Sequence, residues 1–208
     1  MEILQGSLFA AGDDVGPGPL VPGRRVDLGS GAWFEMVEAW MRGADTLFHD
    51  LADSVPWREE RRWMYERMVD VPRLVAFYGK EDQLPAPPLQ EALDVLQEHY
   101  AGEGGEALAT AGLCLYRDAH DSVAWHGDRI GRNTEADTLI AIVTLGAPRR
   151  FLLRPKGGGR SVQLKPAAGD LLVLGGSTQR TWEHCVPKST RPVGPRMSVQ
   201  YRPLEDAS

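Results

Sequence analysis

Cysteine is nearly absent from this chain. Its 208 residues include two, Cys114 and Cys185, which is too few for a disulfide framework. The expected setting is therefore reducing and cytoplasmic. No apolar run approaches the ~20 residues of a membrane-spanning helix, so no membrane partner is expected. The first twelve residues lack both a basic start and a sustained apolar stretch, and no secretory leader is expected. Positive charge is scarce as well, with a net charge of −6. That balance argues at first against a nucleic-acid partner, but its distribution does not. Residues 1–53 hold nine acids against three bases, and the remainder balances twenty against twenty. Residues 147–165 carry Arg149, Arg150, Arg154, Lys156, Arg160 and Lys165 with no acid. Such a patch can meet phosphates on an acidic molecule, or it is a solvated hairpin. Repeats and coiled-coil periods are missing too.

What is present fits a monomeric globular protein, 42% hydrophobic and 25% charged. Residues 1–30, rich in Gly, Pro and Asp, predict an extended or partly disordered lead, with Leu8 and Phe9 docked on the body. Residues 31–208 are expected to form one domain with a β core over about 111–203. Trp33, Met36, Val37, Trp40, Met41 and Leu47 recur at helical spacing and predict a helix over 32–51. Pro56 opens a segment over 57–68, where Arg58, Arg61, Arg62 and Arg67 interleave with Trp57, Trp63 and Tyr65. It reads either as a strand-binding surface for nucleic acid or as an amphipathic segment with helical ion pairs formed by Glu59, Glu60 and Glu66. Residues 73–79 predict a strand. Residues 87–100 predict a helix opened by Pro87 and Pro88, with Leu89, Leu93, Leu96 and Tyr100 on its apolar side, ending at Gly102 before a Gly104-Gly105 turn. Strands are then predicted over 112–117, 122–128, 139–145, 150–153, 161–164, 171–174, 181–186 and 196–202. Turns are placed at 118–120, 155–159, 169–170 and 175–176. The fold class is α+β: a double-sheet jelly roll, or double-stranded β-helix, buttressed by N-terminal helices.

Within that β region, Ala124-Trp125-His126-Gly127-Asp128 stands out. On a strand, His126 and Asp128 point one way, about 6.5–7 Å apart, and Trp125 turns the other way into the core. Thr181-Trp182-Glu183-His184 offers a distant third ligand, His184. Two His and one carboxylate on one face of a metal leave positions open for a co-substrate and O2, the arrangement of non-haem Fe(II) oxygenases. Zinc suits the same ligands. Further on, Arg196, Ser198, Gln200 and Arg202 alternate with Met197, Val199 and Tyr201. The two Arg lie roughly 20 Å apart between Cα atoms on one strand face. Their long side chains, folding inward, can grip a short diacid, which points to 2-oxoglutarate (2OG). His49, His99 and His120 stand outside this ordered set and read as structural.

The ordered pattern H-x-D, a distant H, then R-x5-R resembles the AlkB family of Fe(II)/2OG-dependent dioxygenases. It is met by His126, Asp128, His184, Arg196 and Arg202. The family's upstream N-x-Y is met by Cys114-Leu115-Tyr116, so its Asn is replaced. The resemblance runs over about 71–203. It is nearest the repair-type branch, judging from Val71-Pro72-Arg73, Tyr78-Gly79 and Leu115-Tyr116-Arg117. It implies Fe(II), 2OG and O2 as cofactor and co-substrates. The metal would sit on His126, Asp128 and His184. Tyr116 would contact 2OG, Arg196 its carboxylate far from the metal, and Arg202 the carboxylate near it, with Ser198 adding a hydroxyl bond. The implied reaction is oxidative demethylation of N-alkylated nucleobases of the 1-methyladenine/3-methylcytosine type, in DNA or RNA, single-stranded or with the base flipped, releasing succinate, CO2 and formaldehyde. His126 would also offer a ring face to the base, with Phe77 or Tyr78 opposite. An acidic substrate contact is replaced by Ile130. The thiol of Cys114 cannot reproduce the bonds of an Asn. Two other readings stand beside this one: the same chemistry on a non-nucleic-acid substrate, and a non-catalytic metal-binding module, supported only by Cys114.

Overall fold

Glycines at both ends decide how residues 26–43 fold. Gly29 and Gly31 have φ of +88° and +80°, and Gly43 has φ of +62°. No helix runs through such positions. In the computed structural model, which describes residues 14–20, 25–64, 67–103, 107–128 and 137–204, and no side chains over 62–70, this stretch is mostly strand. The short strand β1 (Gly16–Pro17) pairs with β4 (Met41–Arg42), and β2 (Val26–Gly29) pairs with β3 (Ala32–Val37). The helix predicted over 32–51 is thus corrected: α1 covers Ala44–Ser54 only. Spacing alone suited a helix, but pairing of β3 to two neighbours overrides it. Gly43 caps α1, and a Cβ there would fall 2.6 Å from Val15 Cγ2. Trp40, Met41 and Leu47 are core as expected.

The described residues of the 57–68 segment form no helix either. Its residues form β5 (Arg58–Met64), a hairpin with β6 (Arg67–Tyr78). Leu8, Phe9, Tyr65, Glu66, Gly104, Gly105 and Ile130, and the side chains of Arg62, Trp63 and Arg67, lie outside the described set. The predicted second helix is α2 (Pro87–His99), with Leu89, Ala92, Leu93 and Leu96 buried.

The strands that follow are β7 (Leu108–Tyr116), β8 (Val123–His126), β9 (Ile140–Gly146), β10 (Phe151–Pro155), β11 (Val162–Leu164), β12 (Leu171–Gly176), β13 (Trp182–Val186) and β14 (Arg196–Pro203). All eight predicted strands are present. Gly175-Gly176 ends β12 instead of forming a turn, and a one-turn helix, α3 (Thr178–Thr181), makes the connection. Besides the β1-β4 pair, two antiparallel sheets result among the described residues. The larger has the order β2-β3-β12-β9-β14-β7-β6-β5, and the smaller β11-β10-β13-β8. This is the expected jelly roll buttressed by helices.

Alternation sorts the side chains into two layers. Met197, Val199 and Tyr201 of β14 join Leu113, Val143 and Val173 against the helices. The Tyr201 hydroxyl donates to the Leu89 carbonyl at 2.9 Å, tying β14 to α2. On the opposite face, Phe34, Ile140, Ile142, Phe151, Leu153 and Leu172 fill the space between the sheets. The polar residues of β14 share that inner face. Among the described residues no helix is long and apolar enough to cross a membrane.

Candidate active site

The inner face of the large sheet can be read row by row from strand register. Tyr116 lies beside Arg196, Cys114 between Val75 and Ser198, and Gly112 between Phe77 and Gln200. The small sheet faces these rows, with His184 of β13 opposite His126 of β8. Between the sheets is a cavity of about 1240 Å³, lined by all seven sequence-predicted site residues.

His126, Asp128 and His184 converge. One ligand atom from each lies within 4.8 Å of the others. Nε2 of His126 is 3.8 Å from Asp128 Oδ1, and Nε2 of His184 is 3.9 Å from Oδ2. The route differs from strand alternation, because β8 ends at His126. Asp128 sits beyond it, where its N–H donates to Gln179 Oε1 at 3.0 Å. The Nδ1 of His126 is 2.9 Å from the Ala124 carbonyl. A carbonyl only accepts, so Nδ1 carries the proton and Nε2 presents its lone pair to the site. His184 stacks on Phe151, ring centroids 5.2 Å apart. Burial pushes its imidazole down to about 4, so it is neutral at pH 7. Burial alone would raise the Asp128 carboxyl, but Arg202, His184 and His126 outweigh it and hold it below the usual range. Two imidazoles and one carboxylate are the donor set of a divalent cation.

Beside this cluster the β14 side chains form a chain of contacts. Arg202 Nη2 is 3.3 Å from Asp128 Oδ1 and also meets Gln200 Oε1. Gln200 Nε2 donates to Ser198 Oγ at 2.9 Å. Arg196 is 1% exposed. It donates through Nη2 to Thr144 Oγ1 at 3.3 Å and lies 5.2 Å from the Tyr116 ring. Its Nε and Nη1 are buried without a partner. Buried guanidinium donors are costly to leave unpaired, so this pocket suits a carboxylate. Burial pushes the Tyr116 phenol up to about 12, which keeps it a donor. Arg73, whose Nη1 donates to the Ser122 carbonyl at 3.3 Å, reaches toward Cys114 and Tyr116. It brings charged donors to the position where Cys114 lacks them.

Other expectations change here. Trp125 is half-buried, not core, and Arg154 covers its ring at 4.0 Å. The basic stretch is largely engaged within the protein. Arg149 is 3% exposed and donates to the carbonyls of Asp118, Asp121 and Pro187. Arg154 pairs with Glu183 at 2.5 Å, and Lys156 donates to the Gln179 carbonyl at 2.8 Å. Arg150, Arg160 and Lys165 are exposed. At the cavity rim, Phe77 is 60% exposed beside Tyr78. His49 and His99 lie on α1 and α2, and His120 faces Asp118. Gln179 and Gln200 escaped the sequence reading as partners. No spacing marks Gln179, and Gln200 gave only its strand face.

A family model for the 2OG-Fe(II) oxygenase superfamily matches residues 41–202. Among curated relatives, the alpha-ketoglutarate-dependent dioxygenase alkB homolog 3 of Bos taurus is 29% identical over 181 residues, covering 78% of this chain and 62% of that protein. The DNA oxidative demethylase ALKBH2 of Arabidopsis thaliana is 28% identical over 225 residues, covering 87% and 69%. The chain belongs to the 2OG-Fe(II) oxygenase superfamily, in its AlkB family. This oxygenase chain spans about 62% of the length of its alkB homolog 3 relatives from cattle and human. Solved structures with this fold include the following two. OsALKBH1 aligns with a TM-score of 0.56 at 12% identity, covering 86% of this chain and all of that one (100%). A prolyl hydroxylase from Trichoplax adhaerens, in complex with a hypoxia inducible factor peptide fragment, aligns with a TM-score of 0.61 at 12% identity, covering 83% of each.

Proposed function

We propose that this AlkB-family oxygenase removes N-alkyl groups oxidatively from nucleobases of DNA or RNA, using Fe(II), 2OG and O2. The observation that carries the reading is the meeting, in one cavity, of the His126–Asp128–His184 cluster with a buried guanidinium whose Nε and Nη1 lack partners. The residues fit the implied groups: the three side chains would hold the metal, and Arg196, with Tyr116 and Ser198 in adjoining rows, would hold the diacid. When bound, Fe(II) would supply oxidation chemistry in which O2 is the oxidant and 2OG the electron donor, leaving as succinate and CO2, while an N-methyl carbon is hydroxylated and lost as formaldehyde. The chain's own residues do the rest. Arg196 fixes one end of the diacid by paired donors. The Tyr116 proton remains on its oxygen and donates. Asp128, held by Arg202 and Gln179, stays ionised and oriented. The space between the sheets shields the reacting carbon from water.

The nucleic-acid part rests on the alkB homologues among the relatives and on Phe77. An exposed aromatic at a cavity mouth suits stacking on a base drawn out of its strand. The test is mass spectrometry of DNA and RNA oligonucleotides carrying N1-methyladenine or N3-methylcytosine. Each is incubated in air with Fe(II) and 2OG, and His126→Ala serves as control. Loss of the methyl group, absent in the control, is expected, and the DNA/RNA ratio ranks the substrates. Succinate formed while every oligonucleotide stays methylated would remove the nucleobase assignment and leave the oxygenase.

A further inference from the structure

Gly112 lies within β7, paired with Phe77 on one side and Gln200 on the other. Its backbone does not need a glycine, since its φ lies outside the left-handed range. Space is what makes it special. A Cβ at Gly112 would fall 2.6 Å from Nη1 of Arg202, closer than real Cβ atoms approach, and 3.8 Å from its Cζ. The Arg202 guanidinium therefore lies across bare strand backbone. From there its Nη2 reaches Asp128 Oδ1 at 3.3 Å and also meets Gln200 Oε1. Gln200 Oε1 itself would sit 3.9 Å from the added Cβ, an ordinary contact. The conflict falls on one flexible tip, so a side chain at 112 displaces Arg202 and leaves the strand in place.

We propose that Gly112 is a positioning residue: its missing side chain seats Arg202 on Asp128. Arg202 is then committed to the metal-side carboxylate, and Arg196 is left to the diacid. The consequence for metal binding rests on the reading of His126, Asp128 and His184 as ligands. Partners that orient a ligating group are worth about ten- to a hundredfold in metal affinity. Gly112→Ala is expected to weaken metal binding by about tenfold through Arg202.

The test is a cycle of Gly112→Ala and Arg202→Ala in the full chain, read two ways. Mn(II) binding is followed by the paramagnetic resonance signal of the free ion, with His126→Ala as control. Thermal unfolding is followed without metal. If Gly112 acts through Arg202, the double variant binds Mn(II) no more weakly than Arg202→Ala alone. In melting, Gly112→Ala lowers Tm when Arg202 is present. With Arg202 truncated it leaves Tm unchanged or raises it, because Ala is better than Gly in a strand. Equal losses of Tm in both backgrounds would overturn the proposal, as would wild-type Mn(II) affinity in Gly112→Ala. If the wild type binds no Mn(II), the ligand reading of the triad falls, and the metal-free cycle still decides the role of Gly112.

Discussion

Replacing Arg196 with methionine is expected to stabilise the ligand-free protein while abolishing its response to 2OG. Among the described residues Arg196 is the bulkiest of the fully buried side chains, and its Nε and Nη1 have no partner. Burial pulls its pKa down, the sign of a charge held where solvent does not reach. Each unpaired donor costs about 1–3 kcal/mol, and exchanging a buried charge for an apolar side chain of similar volume gains about 1–4 kcal/mol. Against that stand one 3.3 Å bond to Thr144 Oγ1, worth about 1–2 kcal/mol, and the Tyr116 ring 5.2 Å away, worth about 0.5–1 kcal/mol. A net gain of about 2 kcal/mol follows, which for a chain of this size raises Tm by about 4–8 °C. Saturating Mn(II) and 2OG reverse the order. At a hundred times Kd a ligand adds about 2.7 kcal/mol to the wild type and nothing to a variant that does not bind it. Differential scanning fluorimetry with and without Mn(II) and 2OG reads both signs. A ligand-free Arg196→Met protein that melts below the wild type would refute the reasoning, because Arg196 would then be satisfied by the protein itself.

His184 makes the metal-free protein acid-sensitive. Its folded value of about 4 lies below the ordinary 6.5, so its contribution is whole above pH 6.5 and is lost as pH falls toward 4, by about 3 kcal/mol. His184→Asn should flatten that limb of a stability–pH profile measured by urea unfolding. Phe77→Ala should leave Tm unchanged, since the ring is 60% exposed. It should also raise KM for a methylated oligonucleotide by about tenfold, the order of one lost base stack. Arg149→Ala should destabilise the protein by about 3–5 kcal/mol, since three backbone carbonyls lose a buried charged donor. Arg149→Lys should not restore it, because an ammonium lacks the fork geometry.

The eight core strands were legible because each carries its own period and is bounded by Gly, Pro or polar turns. The helix predicted over 32–51 failed for a reason internal to the signal. Trp33, Met36, Val37, Trp40 and Met41 fit a helical spacing, but β3 takes its hydrogen bonds from β2 and β12, and β12 comes more than a hundred residues later. No local pattern reports a partner that distant. Residues 57–68 hid their nature similarly. The five consecutive charged residues 58–62 obscure a period of two, and the hairpin declares itself only when β6 is in place.

The candidate site divides along the same line. Residues that owe their direction to alternation, Arg196 through Arg202, were read on the correct face from sequence. Asp128 reached the expected place by another route, on backbone beyond the end of β8 that is pinned by Gln179. The contact of Arg202 with Asp128 was not readable from sequence, because the deciding residue is a glycine. Gly112 adds nothing to a hydropathy period and offers no donor or charge, yet its empty side determines where a guanidinium lies. Trp125 shows the reverse case. Alternation correctly turned it away from the metal cluster, but facing away from a cavity in the small sheet means facing outward, where Arg154 covers it. Direction is therefore a property of the strand. Burial is a property of what the rest of the chain lays against it.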